Sequence, residues 1–272
     1  MKTKTKKRLA LIAALFLMAG VLWFANAFLG NPVSWMLAKH AAEKYLAEQY
    51  AGTDYQLSGV NYSFKDAKYL AYVESPSSPD THFGIMLTGW GTLVYDEFEN
   101  YVTSGWNTWQ RLDEEYRELV DSILDDPDLP YKITIGFGSI CTQGEMGEEF
   151  QQSWLDMSTL ELDGKYDIRE TASRYGKLVV YIEDAETTEE RAAELLLDLK
   201  KRMDAANVPF ARVDFSLEAF RPEQGGTQIS QDRVDLMMVP YEEICEEGLA
   251  EKVHIWEEKT EAFYKSMDAE KK

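Results

Sequence analysis

From Leu9 to Gly30 the chain carries no charged side chain, and Asn26 is the one strongly polar residue in the run. About 20 such residues in a helix cross the hydrocarbon core of a bilayer. A helix is also the form that satisfies every backbone group within the segment. The run therefore predicts a transmembrane anchor over 9–30. Nothing later in the chain is as long and apolar, so the expectation is a single-pass plasma-membrane protein. Residues 1–8 form a basic flank of Lys2, Lys4, Lys6, Lys7 and Arg8 with no acidic residue among them. Such a flank stays cytoplasmic, which places residue 31 onward outside the cell. The competing reading is a signal peptide: Ala25-Asn26-Ala27 has the small-x-small pattern of a cleavage site before Phe28. The apolar run is longer than the usual signal core of about 7–15 residues, which favours an uncleaved anchor. No cysteine lies near the run, so a lipid-modified cysteine is excluded. Both readings send the body across the membrane.

That body is acidic. The formal net charge is -20, and the basic residues ahead of the anchor are not part of it. Nucleic acid and anionic lipid are poor partners for such a surface. Seven Trp, fifteen Tyr and 45% hydrophobic residues mark a folded body rather than a disordered stalk. Cys141 and Cys245 are a candidate disulfide in an oxidising compartment, with two buried thiols as the alternative. With His254 as the one histidine near them, they do not make a metal site, and no cofactor is expected.

The residue pattern predicts an α+β fold with two small units behind the anchor, at 31–125 and 131–272. Asn31-Pro32 starts a helix, and Val33, Met36, Leu37, Ala41, Tyr45 and Leu46 give it an apolar stripe ending at Ala51-Gly52. Val60, Tyr62 and Phe64 alternate after a phase break at Gly59 that suits a bulge. Tyr69–Val73 and then Phe83, Ile85 and Leu87 follow as strands around a Ser75–Pro79 loop. A second helix runs from about Thr108 to Leu124. Residues 126–130 are the linker, since two prolines and three acids fall within Asp125–Pro130.

The second unit opens with a strand over Tyr131–Phe137, followed by a loop containing Gly136, Gly138, Gly144 and Gly147. A short helix near Phe150–Met157 and a strand near Tyr166–Ala172 come next. Leu178–Ile182 reads as a central strand buried on both faces. Thr187 with Glu190 forms a capping box for a strong helix. Phe210–Phe220 and Val234–Val239 are further strands, and a last amphipathic helix carries Leu249, Val253, Trp256, Phe263 and Met267. The Leu178–Phe220 segment fits a β-α-β crossover.

Asn31-Pro32, Tyr45-Leu46, Val60-Asn61-Tyr62, Phe64-Lys65-Asp66, Tyr72-Val73, Ser75-Pro76-Ser77-Ser78 and Asp80-Thr81-His82-Phe83 together resemble the YfjL-like family of N-terminally membrane-anchored proteins of Gram-positive bacteria. Gly176–Glu218 is similar to that family's C-terminal domain. The resemblance implies one membrane span and a two-part exported body. It brings no activity or catalytic residue with it.

Candidate chemistry is sparse. Asp80 two residues before His82 has the composition of an oriented base or a metal ligand, but no nucleophile motif or second histidine accompanies it. A strand-entry turn held by Asp80 is the plainer reading. Asp125, Asp126 and Asp128 have the oxygen chemistry for calcium without the spacing of a calcium loop. Glu145, Glu148 and Glu149 sit in a glycine-rich stretch with the same reading. Gly136-x-Gly138 lacks the last glycine of a dinucleotide loop. Gly89-Trp90-Gly91 with Trp106 and Trp109 has the makings of an aromatic surface for peptide or glycan, although helical spacing also suits a core. The functional expectation is a non-enzymatic binding module for an envelope protein or peptide. An envelope hydrolase built on scattered carboxylates and His82 is the alternative, and a structural part of a membrane complex is a third.

Overall fold

A computed structural model describes residues 3–142, 154–219 and 233–270. The chain divides into two compact units, Met1–Thr108 with Glu161–Asp163, and Trp109–Leu160 with Gly164–Lys272. Both combine helices with a four-stranded sheet, so the fold is α+β.

In the first unit, α1 (Thr3–Leu29) is long and apolar enough to cross a membrane. Its large side chains from Leu9 to Leu29 are exposed, so it is not a core helix of this protein. Gly30 takes a left-handed φ of 69°, and the Asn31 side chain caps α2 (Pro32–Gln49) by accepting from the Ser34 amide at 2.8 Å. Ala38, Ala42 and Leu46 are the buried face of α2. They pack with Tyr69, Ala71, Val73, Phe83, Ile85 and Leu87 of an antiparallel meander. Its strands are β1 (Gln56–Ser63), β2 (Lys68–Ser75), β3 (Ser78–Leu87) and β4 (Leu93–Asp96), in that spatial order. The β1–β2 register slips between Leu57 and Gly59, the bulge expected at Gly59. The Ser75–Pro79 loop is shorter than expected, because β3 already begins at Ser78. The short strand β4 was not foreseen.

Of α3 (Trp106–Leu124) the part from Trp109 onward belongs to the second unit, and it lends Tyr116, Val120 and Leu124 to a large core. The sheet is mixed: β5 (Lys132–Ile140) runs antiparallel to β6 (Gly176–Asp184), which is parallel to β7 (Arg212–Ala219), which is antiparallel to β8 (Arg233–Pro240). The parallel pair is joined through α5 (Glu189–Ala205), the crossover expected there. Along β6, Leu178, Val180 and Ile182 are buried while Val179 and Tyr181 are half-buried. The strand is central, yet one face is dry and not two.

Several local expectations are corrected. Tyr166–Ala172 is not a strand: the Asp167 carboxylate accepts from the Arg169 and Glu170 amides and starts α4 (Ile168–Tyr175). The cap of α5 is Thr188, accepting from Arg191 N, so Thr187 and Glu190 form no capping box. Gly136 and Gly138 lie inside β5 rather than in a loop. A Cβ on Gly138 would stand 2.5 Å from Val120 and 2.8 Å from Tyr116, so the glycine lets α3 pack against the strand. A bulge between Ile133 and Ile135 breaks the expected alternation and leaves Ile135 exposed. Of the helix expected near Phe150–Met157, the described part is not helical: Leu155 bridges Thr142, and a single turn follows at Met157–Thr159; residues 150–153, with Gly144, Gly147 and Phe220, lie outside the described residues. The last described element is α6 (Leu249–Glu270), with Leu249, Val253 and Trp256 buried.

Candidate functional site

Among the described residues, the cleft that gathers the most suggestive chemistry lies in the first unit, where the chain leaves β4. Strand alternation sends successive side chains to opposite faces. Asp96 points inward, and its Oδ2 accepts from the hydroxyls of Tyr45 at 2.5 Å and Tyr50 at 2.9 Å. Burial and this carboxylate push the Tyr45 hydroxyl up to about 12 and raise Tyr50 as well. Phe98 joins the inner aromatic cluster, with ring centroids 5.2 Å from both Tyr50 and Phe83. With Asp96 and Phe98 fixed inside, Tyr95 and Glu97 face out.

The chain then winds through a π-helical turn, Glu99–Thr103, closed by the Ser104 amide donating to Glu99 O at 3.0 Å. Gly105, at φ 79°, reverses it into α3. Such wide turns are uncommon and recur at functional sites. This one brings Asn100, Tyr101 and Trp106 around Tyr95 and Glu97, lining an open cleft of about 510 Å³. Tyr101 and Trp106 meet edge to face, 6.4 Å apart. Partial burial raises the Glu97 carboxyl above its ordinary range, partly offset by a hydrogen bond from the Gly84 amide. A Cβ on Gly84 would meet the tips of the Glu97 and Leu70 side chains, so the glycine leaves the Glu97 carboxylate room over β3. Burial raises the Tyr95 hydroxyl too, with Glu97 the largest charge acting on it. Three aromatic side chains around one carboxylate suit a cationic group: the ring faces attract it and the carboxylate pairs with it.

Of the residues singled out in the sequence, only Trp106 lines this cleft. Trp90 is exposed at the β3–β4 turn, and Trp109 belongs to the second unit, donating to Ile140 O at 2.8 Å. Asp80 is buried, and its Oδ2 accepts from the Asp163 amide at 3.1 Å while the Asp80 amide donates to Asp163 Oδ1 at 3.0 Å. Asn107 clamps the carbonyls of Asp80 and His82, at 2.9 and 2.7 Å. The His82 side chain is exposed. Asp80 thus ties the entry of β3 to the Glu161–Asp163 segment.

Asp126 forms a local turn, its Oδ1 accepting from the Asp128 amide. Glu145, Glu148 and Glu149 lie outside the described residues. Among the described residues no three acidic, histidine or cysteine side chains converge on a metal position. Cys141 and Cys245 are not bonded to each other. Cys141 is buried after β5, and Cys245 is half-buried, with Lys252 Nζ donating to its sulfur at 3.1 Å. The signal for the cleft was present in the sequence as Tyr95, Glu97, Asn100 and Tyr101, but only the π turn brings them together.

These features define a two-unit α+β protein with an N-terminal apolar helix of membrane-spanning length. Residues 5–97 match the YfjL-like N-terminal domain and residues 115–254 the YfjL-like C-terminal domain. The chain belongs to the YfjL-like family. A solved structure of a DUF5037 family protein from Ruminococcus gnavus is 14% identical over 66% of this chain and 74% of that one, with a TM-score of 0.19. No curated protein matches the chain.

Proposed function

We propose that this protein is a membrane-tethered binding module that captures a basic segment of an envelope protein or peptide outside the cell. The observation that carries this reading is the cleft of Tyr95, Tyr101 and Trp106 around the half-buried Glu97. A lysine or arginine side chain seated there gains ring-face attraction and a charge partner in a site partly withdrawn from water. The net charge of -20 favours encounter with basic partners. The location rests on α1 and its flank: the run from Leu9 is uncharged, and Lys4, Lys6, Lys7 and Arg8 hold that side in the cytoplasm. The body then consists of two extracytoplasmic α+β domains.

The test is affinity capture of the tagged full-length protein from cross-linked native membranes, read by mass spectrometry. One stoichiometric partner is expected, lost with Glu97→Ala combined with Trp106→Ala, and lost when residues 31–272 are replaced by an unrelated body. An identical set of captured proteins from all three forms would sink the binding reading.

A further inference from the structure

The first unit is fastened to the end of α1. The Tyr69 hydroxyl accepts from Asn31 N at 3.0 Å and donates to Asn31 O at 3.2 Å. The Tyr62 hydroxyl donates to Ala27 O at 3.2 Å, and Trp35 Nε1 donates to Val60 O at 3.0 Å. The Phe28 and Phe64 rings stack at 6.0 Å. A Cβ on Gly30 would stand 2.6 Å from the Tyr69 hydroxyl, so the joint is close-packed.

The meander then decides what else lies at this end. β1 and β3 both run toward the joint: Tyr62 at the end of β1 bonds Ala27 O, and a Cβ on Gly89, just past β3, would stand 3.2 Å from Ser34 Oγ. Two of the three hairpin turns therefore sit beside the end of α1: the β1–β2 turn with Phe64 and the β3–β4 turn with Trp90. The third, Pro76-Ser77, is at the far end of the sheet. Both near turns expose an aromatic ring, Phe64 at 57% and Trp90 at 86%, and the first turn of α2 adds exposed Val33 and Met36. The far turn presents proline and serine. No charged residue lies between Thr88 and Val94, and the other tip carries Lys65 and Lys68 with Asp66. This end thus departs from the acidity of the rest.

Length fixes the depth. With Arg8 held at one face, the run to Leu29 rises about 1.5 Å per residue and reaches the opposite face of a hydrocarbon core about 30 Å thick. Phe28 and Leu29 then emerge at the head-group level, where tryptophan and other aromatic side chains concentrate. Exposed apolar side chains grouped in this way need a covering surface, and the surface continuous with α1 is lipid.

We propose that the first unit does not stand off the membrane on a stalk but rests on it, with Phe64 and Trp90 inserted into the head-group layer and Val33 and Met36 against it. The inference rests on the reading of α1 as a membrane span. It turns one tether into a three-point mount that fixes which way the cleft faces.

The experiment uses the full-length protein in liposomes of phosphatidylethanolamine and phosphatidylglycerol. In a Cys141→Ser, Cys245→Ser background, a polarity-sensitive fluorophore is attached at Phe64→Cys, Trp90→Cys or, as the far-end control, Ser77→Cys. Head-group-proximal quencher lipids should quench the probes at 64 and 90 at least about twofold more than the probe at 77, with a blue-shifted emission at both. Because Cys141 is buried and its replacement can disturb folding, a second readout keeps the native cysteines. Intrinsic tryptophan emission should lose more to brominated lipid in the unmodified protein than in Trp90→Phe. If the protein resists alkaline carbonate extraction while all three positions report water, the mount is overturned and the anchor stands. If carbonate strips the protein from the liposomes, both readings fall together.

Discussion

Both units use four strands in sequential spatial order, yet they treat their surfaces differently. The first is a meander of short hairpins with one light helix face of Ala38, Ala42 and Leu46. The second inserts a parallel step, and with it a crossover helix burying Leu195, Leu196, Leu199 and Met203. An antiparallel sheet tolerates water on one side. The first unit uses that latitude: its exposed turns, its short fourth strand and its π turn carry the apolar tips and the cleft. The second unit gathers most of its large side chains in a core, with Ile135, Ile255, Tyr264 and Met267 left outside it. The comparison teaches that in this molecule bulk stability and surface chemistry are divided between the two sheets.

The largest expected effect breaks the division at its stable side. Leu196 is 1% exposed in the second core, and Leu196→Ala should cost about 2–5 kcal/mol of stability. Hydrogen exchange resolved by peptide should show protection lost across β5–β8 and retained across β1–β4. Uniform loss over both sheets would mean that the units fold as one and that the division is only geometric.

A smaller effect sharpens the first unit's side. Gly30 and Gly52 both take left-handed backbone, at φ 69° and 86°, so alanine at either costs about 1–2 kcal/mol from backbone strain. A Cβ at 30 also meets Tyr69 and Tyr62, whereas at 52 nothing lies within 4 Å. Gly30→Ala should therefore lower the thermal midpoint more than Gly52→Ala. Equal shifts would mean that the joint between α1 and the sheet is looser than its contacts indicate.

Much of this fold was legible because it obeys simple periods. The Asn31 cap, the alternation in β1 and β3, and the heavy apolar face of α5 each announce themselves locally. What escaped did so for physical reasons. Leu93, Val94 and Tyr95 of β4 are all exposed, so no in–out alternation marks the strand. Ile168–Tyr175 is only two turns long and buries little beyond Ala172, and its helical state hangs on the Asp167 cap. Gly136 and Gly138 suggest a loop to the eye, but the need they meet is the approach of Tyr116 and Val120 from far along the chain. The cleft was hidden for a related reason. Tyr95, Glu97 and Tyr101 acquire a common direction only when Asp96 is pulled inward by Tyr45 and Tyr50, and no local pattern encodes that.

The smallest effect bears on why Glu97 is there at all. Burial raises its carboxyl in the folded protein, so the fold favours the protonated form. Its contribution to stability is complete below the ordinary carboxylate range and is lost as pH rises through the raised value. Glu97→Gln, which keeps an acceptor for the Gly84 amide, should then be slightly more stable than the parent at pH 7–8 and match it in acid. Glu246 in the second unit is held down by Lys201, so its contribution is present above the ordinary carboxylate range and lost as pH falls. Glu246→Gln should be slightly less stable at neutral pH, again converging in acid. Thermal midpoints measured from pH 4 to 8 would read both. Opposite signs would mark Glu97 as a charge kept at a cost to folding, as a ligand-binding carboxylate is. Destabilisation by Glu97→Gln at neutral pH would make it a structural group like Glu246, and the cleft would lose its claim to a cationic ligand.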